Sequence, residues 1–86
     1  MSAADDDDRS ITELLEFLVK ALVEEPDEVE VEELEEDGDL VYEISVADGD
    51  LGRVIGKGGR VANAIRTIAK AAAVRIDRRV IVDILD

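Results

Sequence analysis

Three glycines and a lysine stand together in Gly56-Lys57-Gly58-Gly59, and these residue types suit close contact with a phosphate backbone. Glycine reaches backbone angles closed to other residues, and without a side chain it lets another molecule's backbone approach closely. Arg53 and Arg60 flank the loop and could reach the same phosphates. We therefore predict a phosphodiester contact at this loop. The alternative is that the glycines only form a tight turn between two helices.

The residues after the loop predict an amphipathic helix over 60–74, whose N-terminus would favour an anion. Arg66 and Lys70 lie four residues apart on its polar side, where they either extend the phosphate contact or form a solvated surface. Val54, Ile55 and Ile65 would either line an apolar groove for bases or belong to the core.

The remaining pattern predicts a three-stranded sheet with helices packed on one face, an α+β fold. A capping box at Ser10 starts the first helix, Asp37-Gly38 forms a hairpin turn, and Asp48 or Asp50 caps a short helix. A bulge is possible where the alternation of the first strand slips, at residues 32–34. In chain order the predicted elements are a helix from residue 10, strands at 29–32 and 40–46, helices at 51–55 and 60–74, and a strand at 79–85. Residues 1–9 are expected to be a disordered acidic tail, and residues 10–86 one domain.

Composition disfavours several classes of function. The 86 residues contain neither His nor Cys, so the commonest general base and thiolate metal sites are absent, and we expect no enzyme, metal, cofactor or small-molecule substrate. The loop lacks the spacing of a Walker-type phosphate loop. No apolar run approaches the roughly 20 residues that span a bilayer, so we expect a soluble cytoplasmic protein without membrane contact.

Charge divides the chain into two halves. Residues 1–50 hold 20 acidic and 2 basic residues, whereas residues 51–86 hold 3 acidic and 8 basic residues, for a net charge of −13. The glycine loop lies in the basic half, which would attract a polyanion. The acidic half is interpreted as an adaptation to high salt, as a docking face for a basic partner, or as a solvated surface.

The stretch Asp50-Leu51-Gly52-Arg53-Val54-Ile55-Gly56-Lys57-Gly58-Gly59-Arg60 resembles the V-I-G-x-x-G motif of KH domains. Residues 62–67 (Ala-Asn-Ala-Ile-Arg-Thr) resemble the following helix of the KhpA family, the small bacterial single-domain KH proteins once called YlqC-type. The likeness covers roughly residues 10–86. The Asp-rich start and the high acidity depart from the family pattern.

This resemblance implies a type II-like KH domain of order α-β-β-α-α-β that binds single-stranded RNA. The implied site is Arg53, Val54, Ile55, Gly56, Lys57, Gly58, Gly59, Arg60, Arg66 and Lys70. It also implies an RNA chaperone or post-transcriptional regulator linked to cell elongation and peptidoglycan homeostasis. The implied partners are a second copy, as a homodimer, and a larger KhpB-like KH protein. A protein-interaction or dimerisation module with little RNA binding is the alternative, and single-stranded DNA is a further possible ligand.

Overall fold

The predicted order of elements is confirmed. The computed structural model describes residues 3–86, with side chains from Arg9 onward. Its elements are α1 (Ala3–Leu22), β1 (Glu30–Glu36), β2 (Asp39–Ser45), α2 (Leu51–Ile55), α3 (Arg60–Ala73) and β3 (Val80–Ile84). The strands form one sheet in the order β1-β2-β3, antiparallel between β1 and β2 and parallel between β2 and β3. The helix–turn–helix unit of α2 and α3 supplies the crossover that this parallel pairing requires.

The core lies between the helices and one face of the sheet. α1 contributes Ile11, Leu15 and Val19, which repeat every four residues and therefore share one side of the helix. Alternate strand residues meet them, because side chains along a strand point to opposite faces. These strand residues are Leu40, Tyr42 and Ile44 of β2 and Val80 and Val82 of β3.

The first helix begins at Ala3, so the predicted start at Ser10 is wrong. Alanine is the strongest helix former and acidic residues are favoured in a first helical turn, so residues 3–9 continue the helix. The assignment of residues 1–9 as a disordered tail stays a prediction, and Met1 and Ser2 lie outside the described residues. No helix within residues 3–86 is long and apolar enough to cross a membrane.

The predicted bulge in β1 is also wrong, since the register with β2 is continuous from Glu30–Ser45 to Glu36–Asp39. Glu33 takes the next inward-facing position after Val31, directly opposite Tyr42. The Tyr42 hydroxyl donates a hydrogen bond of 3.3 Å to Glu33 Oε1. The strand is therefore regular, and its alternation of apolar and polar residues breaks because a carboxylate occupies an inward-facing position.

Candidate nucleic-acid interface

The glycine loop is one tight turn between α2 and α3. The Gly56 N–H donates to the Gly52 carbonyl at 2.9 Å, and the Gly59 N–H donates to the Gly56 carbonyl at 3.1 Å. Gly56, Gly58 and Gly59 all have positive φ, at 76°, 65° and 81°. The loop thus uses three left-handed residues within four positions, which glycine adopts without strain.

Gly56 is the glycine that packing requires. A Cβ built on it would lie 2.8 Å from Val61 N and 2.9 Å from Val61 Cβ, and still closer to Val61 Cγ2. Among the described residues, nothing lies within 4 Å of a Cβ built on Gly58 or Gly59. The inner end of the loop therefore packs on α3, while its tip is open to another molecule.

Two exposed cations stand at this open tip. The side chains of Lys57 and Arg60 are exposed and make no ion pair with residues 9–86. The N–H of Arg60 donates to the Lys57 carbonyl, and that of Gly59 to Gly56. The turn therefore occupies two donors at the start of α3, and an anion arriving here would meet the side chains of Lys57 and Arg60.

Arg53 is engaged within the protein. Its guanidinium forms an ion pair with Glu24, and its Nε lies 3.3 Å from Asp50 Oδ1. Asp50 is only 3% exposed, and its two carboxylate oxygens accept hydrogen bonds of 3.0 Å from the N–H groups of Glu24 and Glu25. Arg53 and Asp50 therefore fasten α2 to the chain that follows α1.

Asp50 occupies the N-cap position of α2, as predicted, but its side chain makes no capping hydrogen bond to that helix. The Asp50 carboxylate instead bonds to a segment 25 and 26 residues away in sequence. Local spacing carries no signal for so distant a partner, so sequence reasoning missed this contact.

The three apolar residues predicted either to line the groove or to belong to the core, Val54, Ile55 and Ile65, differ in burial. Val54 and Ile65 are almost wholly buried within the hydrophobic core. Ile55 is 37% exposed and immediately precedes the glycine loop. Ile55 is therefore the member of this set whose side chain is available to a ligand.

A groove of about 390 Å³ runs between α3 and the free edge of β3. Arg66 and Lys70 of α3 line one side, residues 80–82 of β3 line the other, and Arg78 and Arg79 close one end. Lys70 is exposed and makes no ion pair with residues 9–86. The sequence indicated Arg66 and Lys70, and the structure shows that they share this groove.

The two arginines at the end of the groove contact the β1–β2 hairpin. The Arg78 Nε donates to the Gly38 carbonyl at 3.1 Å, and its guanidinium also pairs with Glu35. The Arg79 Nε lies 3.9 Å from Asp39 Oδ2. These contacts hold the turn before β3 against the hairpin, and no local sequence signal predicts them, because the partners lie about 40 residues apart.

The arrangement of a glycine turn between two helices, a basic helix face and a neighbouring strand edge is that of a KH domain. The KhpA/KhpB KH-domain family model matches residues 12–84, and the chain belongs to this family. It is not a family of enzymes.

Curated relatives agree with this assignment. A protein of Clostridium acetobutylicum named RNA-binding protein KhpA is 51% identical over 73 residues, covering 85% of this chain and 97% of its own. Proteins of the same name in Halalkalibacterium halodurans and Borreliella burgdorferi are 47% identical over 73 residues and 45% identical over 74 residues. The Halalkalibacterium halodurans match covers 85% of this chain and 96% of the relative, and the Borreliella burgdorferi match covers 86% and 90%. No solved structure matches the chain significantly.

Proposed function

We propose that this protein binds single-stranded RNA, with the backbone at the glycine loop and the bases in the groove beside α3. The observation that carries the proposal is the open loop tip, where Gly58 and Gly59 leave free space next to the exposed Lys57. The names of the relatives, RNA-binding protein KhpA, support the choice of ligand.

The positions of the exposed cations agree with a strand that follows α3. Arg60 and Lys70 are ten residues apart, or about 15 Å along the helix axis at 1.5 Å per residue. Lys57 lies beyond one end of this line, and Arg66 lies one turn before Lys70 on the groove side. Phosphates would meet Lys57, Arg60 and Lys70, and bases would lie against Ile55 and the β3 edge. Arg53 would join them only by leaving Glu24 and Asp50.

The binding site is tested with Lys57→Asp combined with Gly58→Asp. The two acids face the incoming backbone, and aspartate tolerates the left-handed conformation of Gly58 better than most residues do. We expect the affinity for a fluorescent 12-nucleotide RNA of mixed sequence to fall at least tenfold, measured by anisotropy. A DNA competitor of the same sequence measures the preference for RNA.

A matched control carries the same substitutions elsewhere. Lys20→Asp combined with Gly38→Asp changes the net charge equally and also replaces an open, positive-φ glycine. Both double variants should keep the wild-type circular dichroism spectrum, and the control should bind RNA within about threefold of wild type. Equal RNA binding by the wild type and the Lys57/Gly58 variant would refute the site.

The finer roles implied by the family resemblance are part of the same proposal. They are RNA chaperone activity, post-transcriptional control in the cytoplasm, a link to cell elongation and peptidoglycan homeostasis, and pairing with a larger KhpB-like protein. The scarcity of aromatic residues, two in 86, supports the pairing with a second KH domain. Without aromatic stacking, each domain binds modestly, and association with a second KH domain would raise the affinity through effective concentration.

Exposed apolar residues on the helices favour self-association as a second function. Phe17 of α1 is 71% exposed and Ile68 of α3 is 40% exposed. At 100° per residue, Ile68 lies on the opposite side of α3 from Arg66 and Lys70. A second copy on this side would leave the RNA groove open, so the dimerisation and RNA-binding functions are compatible.

Self-association is measured by size-exclusion chromatography with light scattering. We expect Phe17→Glu or Ile68→Glu to shift a dimer to a monomer, because each places a carboxylate in the apolar contact. The matched control is Val74→Glu, at a residue that is 76% exposed beyond the end of α3. A wild-type protein that is monomeric at 100 μM would contradict the dimer.

A further inference from the structure

Arg66 is held in a fixed position across the groove. Its Nε donates to the Val82 carbonyl of β3 at 3.2 Å, and its Nη1 donates to Asn63 Oδ1 at 3.3 Å. A guanidinium carries five N–H donors in one plane, so one on Nη1 and two on Nη2 remain for a ligand. The side chain is half-buried, and these donors are therefore offered in a restricted direction.

The groove around Arg66 contains donors and apolar surface but no carboxylate among its described lining residues. Lys70 lies one turn further along α3, and residues 80–82 form the opposite wall. Within residues 3–86, β3 pairs only with β2. Because the Arg79 carbonyl bonds to β2 while the Val82 carbonyl bonds to Arg66, the backbone of alternate residues, including Val80, faces the groove.

An occupant of this groove must therefore present hydrogen-bond acceptors to the free donors of Arg66. Guanine presents two neighbouring acceptors, O6 and N7, and arginine contacts both at once. Adenine places an amino donor beside N7, and cytosine places an amino donor where uracil has a carbonyl oxygen. With adenine, the amino donor of the base would face an N–H donor of Arg66. Arg66 therefore discriminates against adenine as well as attracting guanine.

We propose that Arg66 is a specificity-determining residue, which selects a guanine at the base position next to the phosphate bound by Lys70. This inference rests on the proposed binding of single-stranded RNA and adds a base preference to it. An arginine that contacted phosphate alone would strengthen the binding of every sequence equally. The ratio of affinities between two bases therefore separates the two roles.

The test uses hexauridylate oligonucleotides with one central guanosine, adenosine or 7-deazaguanosine, titrated into the full-length protein. We expect the guanosine oligonucleotide to bind roughly tenfold more tightly than the adenosine one, since a bidentate contact discriminates by one to two orders of magnitude. Replacing N7 by carbon in 7-deazaguanosine should remove most of this preference. This comparison needs no variant, so it does not depend on whether a substituted protein folds.

Arg66→Met and Lys70→Met then assign the preference to one side chain. Both substitutions remove a cation from the same face of α3, but only Arg66→Met removes a guanidinium that can donate two parallel hydrogen bonds. Arg66→Met should reduce the guanosine-to-adenosine ratio to less than twofold, whereas Lys70→Met should weaken both complexes and keep the ratio. Equal wild-type affinities for the two oligonucleotides, or an unchanged ratio in Arg66→Met, would overturn the inference while leaving RNA binding intact. Failure of all oligonucleotides to bind would overturn the proposed function with it.

Discussion

At the scale of single residues, Gly56 carries the strictest requirement in the site. Its φ of 76° is unfavourable for a residue with a Cβ, and that Cβ would lie 2.8 Å from Val61 N. Removing this steric clash would require the start of α3 to move away from the loop. The geometry of the proposed phosphate contact and the packing of α3 therefore depend on the same glycine.

We expect Gly56→Ala to lower the free energy of unfolding by about 2 kcal/mol or more, because left-handed strain and a backbone clash add together. Urea unfolding followed by circular dichroism measures the change. The matched control is Gly52→Ala in α2, where a Cβ would have no atom of the described part of the chain within 4 Å. That substitution should be neutral or stabilise by up to about 1 kcal/mol. Equal urea midpoints for Gly56→Ala and wild type would contradict this account.

The sequence located the loop correctly but did not show which side chains remain available. Glycine spacing and flanking bases are local signals, so residues 56–60 could be placed at a helix junction. The pairing of Arg53 with Glu24 depends on the fold, since the two residues are 29 positions apart. Val54 and Ile55 are adjacent and equally apolar, and only their orientation relative to α3 makes one of them core and the other surface.

At the scale of elements, the face of the sheet opposite the main core has two contrasting rows. Leu34, Val41 and Ile81 stand opposite one another across the three strands. The next row is Glu32, Glu43 and Asp83, three carboxylates in direct cross-strand positions. Like charges directly opposite each other destabilise a sheet, so this row weakens both strand pairings.

Replacing the central carboxylate tests this effect. Glu43→Lys places a cation between two acids, and we expect about 1 kcal/mol of added stability at low salt, diminishing as salt screens the pairs. Asp48→Lys, at an exposed residue outside the strands, makes the same change in net charge and serves as the control. If both variants gain equally in urea midpoint, net charge and not the cross-strand row is responsible.

Element boundaries were predictable where local chemistry sets them. The limits of α2 at residues 51 and 55 and the Asp37-Gly38 turn match their predictions, because glycines and turn residues mark them. The start of α1 and the register of β1 did not match. In both cases a favourable local pattern, the Ser10 capping box or the apparent slip at Glu33, was outweighed by the continuing helix and by the pairing with β2.

At the scale of the whole molecule, the two charge signs are separated in space as well as in sequence. β1 carries exposed acids at residues 30, 32, 35 and 36 on one edge of the sheet, and the groove with Arg66 and Lys70 follows β3 on the other edge. A polyanion is thus repelled from one edge and attracted to the other. The acidic edge also limits strand addition, since charged side chains protect exposed sheet edges.

Salt should therefore act on folding and on RNA binding in opposite directions. With a net charge of −13 on 86 residues, self-repulsion opposes the compact state, and screening relieves it. We expect Tm to rise by roughly 10 °C between 0.1 and 2 M KCl, equivalent to about 2 kcal/mol for a domain of this size. RNA affinity should fall with a logarithmic slope of about −2, because three cations each release counterions from the strand.

A variant with fewer acids separates charge repulsion from other effects of salt. Glu30→Lys, Glu32→Lys and Glu36→Lys together bring the net charge from −13 to −7 and alter only exposed residues of β1. This protein should melt at a higher temperature than wild type in 0.1 M KCl and gain less from added salt. Its RNA affinity should show the same logarithmic slope, since Lys57, Arg60 and Lys70 are unchanged. A Tm that stays flat with KCl in the wild type would show that the acidic surface does not limit stability, and would contradict its interpretation as an adaptation to salt.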